Sequence, residues 1–284
     1  MNIKLIATDL DGTLLRTDKS LSRRNIEALR QASERGVEIV ISTGRPWIGI
    51  SDIVRDMPFI RYAIIINGAM VWDSRCQKAI YQSSFSTEQA LEIWDFVQKY
   101  NTMTDVHIGG VGRISPYYME HVSDYVLSES IAKLVKKTRI VTDDVREAIR
   151  SSKNGAQKIN LTFMNIEEKN RALEELKRFD FAVAVSSVAN NIEINHVSAT
   201  KGRALMGLAG HLGIDISQVM AFGDSGNDLS MIKLAGVGVA MGNADEEIKA
   251  AADIITLDND SDGVCCAVDK FVLGSDDEGA EDEY

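Results

Sequence analysis

The chain has 284 residues, 45% of them hydrophobic and 26% charged, the balance of an ordinary globular protein with a packed core; wholesale disorder, collagen-like repetition and low complexity are excluded. Of its formal charge of −11, six negative charges fall on Asp276, Asp277, Glu278, Glu281, Asp282 and Glu283 in the last ten residues, which carry no base, so the remainder stands at −5. That balance disfavours sequence-independent binding of nucleic acid, which needs Lys and Arg to neutralise phosphates, so an anionic ligand must be held by a local site.

At about 150 residues per domain the length suggests two domains. No apolar run approaches the roughly 18 residues of a membrane helix, and the first residues lack the long apolar segment of a signal peptide. A cytoplasmic protein that engages no membrane is expected, as a monomer or weak homo-oligomer. Cys76, Cys265 and Cys266 are odd in number and two are adjacent, which favours free thiols over a disulfide framework.

In chain order, Ile3 to Ala7 is a short apolar run of the kind a doubly covered parallel strand shows, and it stops at Thr8-Asp9-Leu10-Asp11-Gly12. Ser22 can cap a helix carrying Ile26, Leu29 and Ala32 at helical spacing, with Gly36 as its stop. A second apolar run, Val37 to Ile41, ends at Ser42-Thr43-Gly44-Arg45, and a third, Tyr62 to Ile66, ends at Asn67-Gly68. This alternation predicts a parallel sheet with helical crossovers.

After Ser83 the texture changes. Helical stretches over 87–100 and 167–179 interleave with strand-like runs over 103–107, 158–163, 181–185 and 191–195. From Lys201 the first texture returns: a helix to Leu212 closed by Gly213, a strand Val219 to Phe222 ending at Gly223-Asp224, a helix Asp228 to Leu234, a strand Val237 to Ala240 and a helix Asp245 to Ala252. The expected fold is α/β: a Rossmann-like parallel sheet core with helices on both faces, built from 1–83 and 196–272, plus an inserted α+β cap domain over 84–195. An acidic tail over 273–284 reads as disordered.

Three polar clusters, Asp9/Asp11, Ser42/Thr43 and Asp224/Asn227/Asp228, each follow an apolar strand directly. Ligands of open parallel sheets bind beyond the carboxyl ends of the strands, so clusters far apart in sequence can converge there. Crowded carboxylates need a cation among them, and an all-oxygen set with no nearby Cys or His suits Mg²⁺ rather than zinc. Lys201 at the head of a helix, the hydroxyls of Ser42 and Thr43, and glycine-flanked amides at Gly12 and Gly44 suit a phosphoryl group. An ionised Asp is already a nucleophile at neutral pH, and its attack on phosphorus gives an aspartyl phosphate. A second carboxylate two positions on can protonate the departing alkoxide and later take a proton from water, provided its neighbours raise its pKa.

Asp9-Leu-Asp11-Gly-Thr-Leu14, Ser42-Thr43-Gly-Arg45, Lys201-Gly202 and Gly223-Asp224-Ser-Gly-Asn227-Asp228 together resemble the four motifs of the haloacid dehalogenase superfamily. Asn67-Gly68-Ala69, 195–202, 238–244 and Asp262-Gly263-Val264 are further similar to the Cof-type sugar phosphatases, whose large type II (C2B-like) cap is inserted between the second and third motifs. The resemblance implies a Mg²⁺-dependent phosphatase of small phosphorylated metabolites, sugar phosphates above all. It makes Asp9 the nucleophile and a metal ligand, and Asp11 the acid/base, its backbone carbonyl also on the metal. Asp224 becomes a further ligand, with Asp228 supporting the metal from the first or second shell. Thr43, Lys201, Asn227 and the amides of Leu10 and Gly44 would hold the phosphoryl group, Asn227 alternatively positioning Lys201, while Arg45 and Asn67 face the cap as substrate contacts. Two rivals stand beside this reading: a phosphomutase with the same aspartate pair, and a non-catalytic phosphate-binding regulatory protein. His107, His121, His196 and His211 show no metal-ligand spacing, and Gly109 to Gly112 reads as a turn.

Overall fold

The computed structural model describes residues 2–186 and 188–274. The acidic tail expected over 273–284 lies, from Ser275 onward, outside the described residues.

Fourteen strands are described: β1 (Leu5–Thr8), β2 (Glu38–Ser42), β3 (Ile60–Ile65), β4 (Met70–Asp73), β5 (Lys78–Gln82), β6 (Thr102–Ile108), β7 (Val111–Ile114), β8 (Arg139–Val141), β9 (Lys158–Phe163), β10 (Ala182–Val185), β11 (Asn191–His196), β12 (Val219–Gly223), β13 (Val237–Ala240) and β14 (Ile254–Ile255). The first sheet has the order β14-β13-β12-β1-β2-β3-β4-β5, parallel from β14 to β3. Its central strands are buried but for Glu38 at the start of β2, as the unbroken apolar runs require of a sheet covered on both faces. Ser22 caps the crossover helix Arg23–Glu34 by accepting the amide of Arg24, and Gly213 closes the helix Lys201–Leu212 in the left-handed conformation. The architecture is the expected α/β one: a mostly parallel core sheet with a second, mixed sheet forming a cap.

Several features were not read from the sequence, β7, β8, β14 and the helix Asp52–Arg55 among them. Residues 70–82 form an antiparallel hairpin, β4 and β5, on the edge of the first sheet. Four short helices, Pro116–Glu120, Val122–Tyr125, Glu129–Thr138 and Val145–Arg150, lie in the insertion. Glu129–Thr138 apart, which spans ten residues, these strands and helices of two to six residues show too few repeats for a period to be recognised.

The second sheet runs β10-β11-β9-β6-β7-β8, antiparallel except for β7 beside β8. Its strands alternate strictly, so Val106, Ile159, Leu161, Phe163, Ile192 and Ile194 share one face and pack with Ala90, Ile93, Ile149, Ala172 and Leu176 from the covering helices. The opposite face is polar yet also buried. Asp105, Asn160 and Glu193 align across β6, β9 and β11, and His107, Lys158 and Asn195 align in the next row. Arg139 donates from Nε to Asp105 Oδ1 at 2.9 Å, and Asn160 Nδ2 donates to the same oxygen at 2.9 Å. Buried polar groups are tolerated when paired in this way. No helix among the described residues is long and apolar enough to cross a membrane.

Candidate active site

The carboxyl ends of β12, β1 and β2 are neighbours, and the chain leaves β1 toward β2 on one side and returns through β12 on the other. Such a reversal opens a crevice above the sheet. Asp9 follows β1, Thr43 follows β2 and Asp224 follows β12, so the three clusters meet there. Lys201 enters from the first turn of the helix that Thr200 caps. Fully buried, its Nζ donates to Asp9 Oδ1 and to Asp228 Oδ1, each at 2.6 Å. Asp228 Oδ2 accepts the backbone amides of Asp224 at 3.0 Å and Ser225 at 3.1 Å, and Asp224 Oδ1 accepts from Thr13 Oγ1 at 2.7 Å. Gly12 sits at φ +86°, and a Cβ there would lie 2.5 Å from Asp224 Oδ2, so the turn needs glycine for both its conformation and its clearance.

Carboxylate oxygens of Asp9, Asp224 and Asp228 lie within 4.8 Å of one another. Burial lifts the Asp9 carboxyl to about 7 against the pull of Lys201, and burial lifts Asp224 to about 6 although Thr13 opposes it. Burial would lower the Lys201 ammonium, but Asp228 and Asp9 outweigh it and hold the group above its ordinary value. Three carboxylates around one ammonium leave an excess of negative charge at a buried, all-oxygen site, and a hard divalent cation fits that donor set.

Asp11 does not join this cluster. Its carboxylate takes a bidentate pair from Arg45, Nε at 2.8 Å and Nη2 at 2.6 Å, and a third bond from Lys19 Nζ at 2.9 Å. The condition attached to its acid/base role, that its neighbours raise its pKa, is not met: burial pushes upward, but Arg45 and Lys19 prevail and the carboxyl stands below its usual value. Thr43 is buried and its Oγ1 accepts the amide of Arg45 at 3.2 Å; Ser42 is buried with a hydroxyl that has no hydrogen-bond partner among the described residues. Leu10 is buried directly after Asp9. Gly44 lies against Asn67, where a Cβ would sit 2.6 Å from Asn67 Oδ1. Asn227 donates to that Asn67 oxygen at 3.2 Å and accepts from Ser225 Oγ at 3.0 Å, and no bond from it to Lys201 is found among the described residues.

Three neighbours were not singled out from the sequence, Lys19, Lys158 and Glu193, and two more, Thr13 and Asn195, fall inside the quoted motifs without a role assigned to them. Lys158 Nζ reaches Gly44 O at 3.2 Å and Glu193 Oε2 at 3.0 Å, while Asn67 Nδ2 donates to Glu193 Oε2 at 3.0 Å and to Asn195 Oδ1 at 3.3 Å. The polar positions of β9 and β11 were the available signal, since a buried strand that alternates Lys, Asn and Thr with Ile, Leu and Phe has to present its polar side to something.

A parallel sheet with this buried Lys and three converging aspartates at its switch point is the frame of a phosphoryl-handling hydrolase, and residues 6–268 match the model of the haloacid dehalogenase-like hydrolases: the chain belongs to that family. Within it the chain is a Cof-type phosphatase of subclass IIB. It is 33% identical to the 5-amino-6-(5-phospho-D-ribitylamino)uracil phosphatase YcsE of Bacillus subtilis, over 96% of this chain and 97% of that one. It is 29% identical to the pyridoxal phosphate phosphatase YbhA of Escherichia coli, over 93% and 97% respectively. A solved subclass IIB sugar phosphatase of the superfamily superposes with a TM-score of 0.75 at 26% identity, covering 94% of this chain and 98% of its own.

Proposed function

We propose that the chain is a Mg²⁺-dependent phosphomonoesterase of small phosphorylated metabolites, sugar phosphates foremost, that works through an aspartyl-phosphate intermediate. The observation that carries this reading is Lys201, buried between Asp9 and Asp228 with Asp224 beside them. Residues 1–83 and 196–272 act as the catalytic core and 84–195 as the cap. Asp9, the backbone carbonyl of Asp11 and Asp224 hold the ion, and Asp228 supports it, its carboxylate already anchoring Lys201 and two amides. When bound, the ion offsets the charge of the carboxylates against that of an incoming phosphoryl group.

Thr43, Lys201, Asn227 and the amides of Leu10 and Gly44 orient the phosphoryl oxygens. The Asp9 carboxylate attacks phosphorus, the P–O bond to the leaving group breaks, and Asp11 delivers a proton to the departing alkoxide. Asp11 then takes a proton from water, which attacks phosphorus, releases inorganic phosphate and restores Asp9. Arg45 holds Asp11 ionised, so loading its proton requires the Arg45 contact to open. Arg45 and Asn67 meet the leaving group at the cap.

A cavity of about 120 Å³ on the polar face of the cap sheet supports the choice of substrate. Asp105, Arg139, Lys158, Asn160 and Glu193 line it together with Leu127 and Ile131. Its two acids and two bases balance, which suits a neutral, hydroxyl-rich leaving group better than a second anion. Likeness to a sugar phosphatase and to an enzyme named for a phospho-D-ribityl substrate points the same way.

The test is phosphate release from an aryl phosphate and from a panel of phosphorylated sugars, nucleotides and cofactors. Asp9→Asn should abolish turnover with the fold intact, and EDTA should silence the wild type reversibly. Full activity of Asp9→Asn would refute the nucleophile; transfer between sugar hydroxyls without phosphate release would identify the mutase instead.

A further inference from the structure

Asn67 occupies an unusual piece of backbone. Ile66, Asn67 and Gly68 stand at φ 55°, 57° and 90° in succession. The left-handed region is costly for a β-branched residue such as Ile66, and such a turn persists only where its surroundings over-determine it. Here they do: the amide of Ile66 donates to Arg45 O at 3.1 Å, the amide of Asn67 to Thr43 O at 3.2 Å, and Asn195 Nδ2 to Ile66 O at 3.4 Å. The turn therefore aims one carboxamide at the junction of the phosphate loops and the cap.

The hydrogen bonds along that junction all run in one direction. Ser225 Oγ donates to Asn227 Oδ1 at 3.0 Å, Asn227 Nδ2 to Asn67 Oδ1 at 3.2 Å, and Asn67 Nδ2 to Glu193 Oε2 at 3.0 Å. A carboxylate only accepts, so Glu193, with the Asn195 carboxamide oxygen accepting from the same NH₂ at 3.3 Å, has Asn67 present its NH₂ to the cap and its oxygen to the core; that oxygen in turn obliges Asn227 to present its NH₂. Lys158, whose side chain is 5% exposed, fixes the same Glu193 oxygen at 3.0 Å and ties it to Gly44 O at 3.2 Å.

We infer that Glu193 of the cap is a positioning residue: as the charged acceptor at the end of this chain, nearer to Asn67 than the neutral Asn195 oxygen, it sets the carboxamide orientations of Asn67 and Asn227 and thereby the grip on the phosphoryl group. The inference rests on the phosphatase reading above. Seating the cap and ordering the phosphate site become one event, because the orienting charge is carried by β11 and the oriented groups by the core.

The probe is inorganic phosphate as a competitive inhibitor of aryl phosphate hydrolysis, since it has no leaving group for the cap to touch. Glu193→Leu, which leaves the Asn67 NH₂ only the longer bond to the neutral Asn195 oxygen, should raise the phosphate inhibition constant about tenfold, the effect of one charge-assisted hydrogen bond lost. Glu193→Gln can still accept from Asn67 and should recover the constant to within about threefold of wild type. Asn67→Gly, which cuts the chain from the core side at a φ that glycine tolerates, should match Glu193→Leu and decides the matter if Glu193→Leu does not fold. A Glu193→Leu or Asn67→Gly enzyme with wild-type phosphate inhibition overturns the inference, as does a Glu193→Gln enzyme no better than Glu193→Leu. Failure of the phosphatase reading looks different: the wild type itself then turns over no aryl phosphate.

Discussion

Replacing Lys201 by methionine isolates the electrostatics of the site. The two side chains are similar in length, but the ammonium that lies 2.6 Å from both Asp9 and Asp228 is gone, and none of its surroundings is exposed enough for water to substitute: Lys201 and Asp228 are fully buried and Asp9 is 5% exposed. Removing one partner of a buried ion pair typically costs about 3–5 kcal/mol, because the other charge is stranded; here two are stranded, with Asp224 close by. Asp9, already lifted to about 7, takes up a proton once the ammonium is gone, so in metal-free buffer near neutral pH the loss should stay within that range. Lys201 is held above its ordinary value, so its contribution is fully present below the unfolded lysine value, about 10.4, and fades only as pH rises past it. Urea unfolding in EDTA, followed by circular dichroism, measures the loss. Saturating Mg²⁺ should restore part of it, since a ligand at a hundred times its dissociation constant contributes about 2.7 kcal/mol. Adding Asp228→Asn to Lys201→Met should cost much less than the two single changes summed. A Lys201→Met protein within about 1 kcal/mol of wild type in EDTA, unmoved by Mg²⁺, would refute the picture of a strained anionic cluster held by one cation.

His107 is buried, and burial, aided by Arg139 and Lys158, lowers it from 6.5 to about 4 despite Asp105. The unfolded chain therefore takes up this proton first as pH falls, and the group should withdraw about 2 kcal/mol of stability between pH 7 and 5; His107→Gln should flatten that dependence in urea titrations, and parallel curves would dismiss it. Gly12→Ala forces a Cβ toward Asp224 at φ +86° and should cost about 1 kcal/mol while raising the Mg²⁺ concentration for half-maximal activity, read by metal titration and thermal melting. Arg45→Met frees Asp11 from the guanidinium and lets its carboxyl rise, so the limb of the pH–rate profile that Asp11 controls should move to higher pH; an unchanged profile would remove Asp11 from proton transfer.

What could be read from the residues in advance was local or periodic. The strands Lys158–Phe163 and Val237–Ala240 and the helix Lys201–Leu212 with its Gly213 cap lie where pattern and punctuation put them. The convergence of Asp9, Asp224 and Lys201 was legible because apolar runs reveal strand ends, and parallel sheets gather those ends on one edge. The hairpin over 70–82 was not, its strands being too short to show a period. Nor were Lys158 and Glu193: each belongs to a strand that any reading would find, but their contact with Gly44 and Asn67 depends on how the second sheet docks, which no window of sequence contains. The same limit explains Asp11, whose titration is governed by Arg45, far from it in the chain and beside it only in the folded crevice.

The cap sheet divides its labour by parity. Along β6, β9 and β11 one set of positions packs the insertion together and the other carries its buried polar rows. Because the two sets lie on opposite faces, Asn160, Arg139 and Asp105 can be exchanged as one bonded group without touching Ile159, Leu161 or Ile194, so on the proposed function a new leaving-group preference would be written there and the chemistry below left as it is.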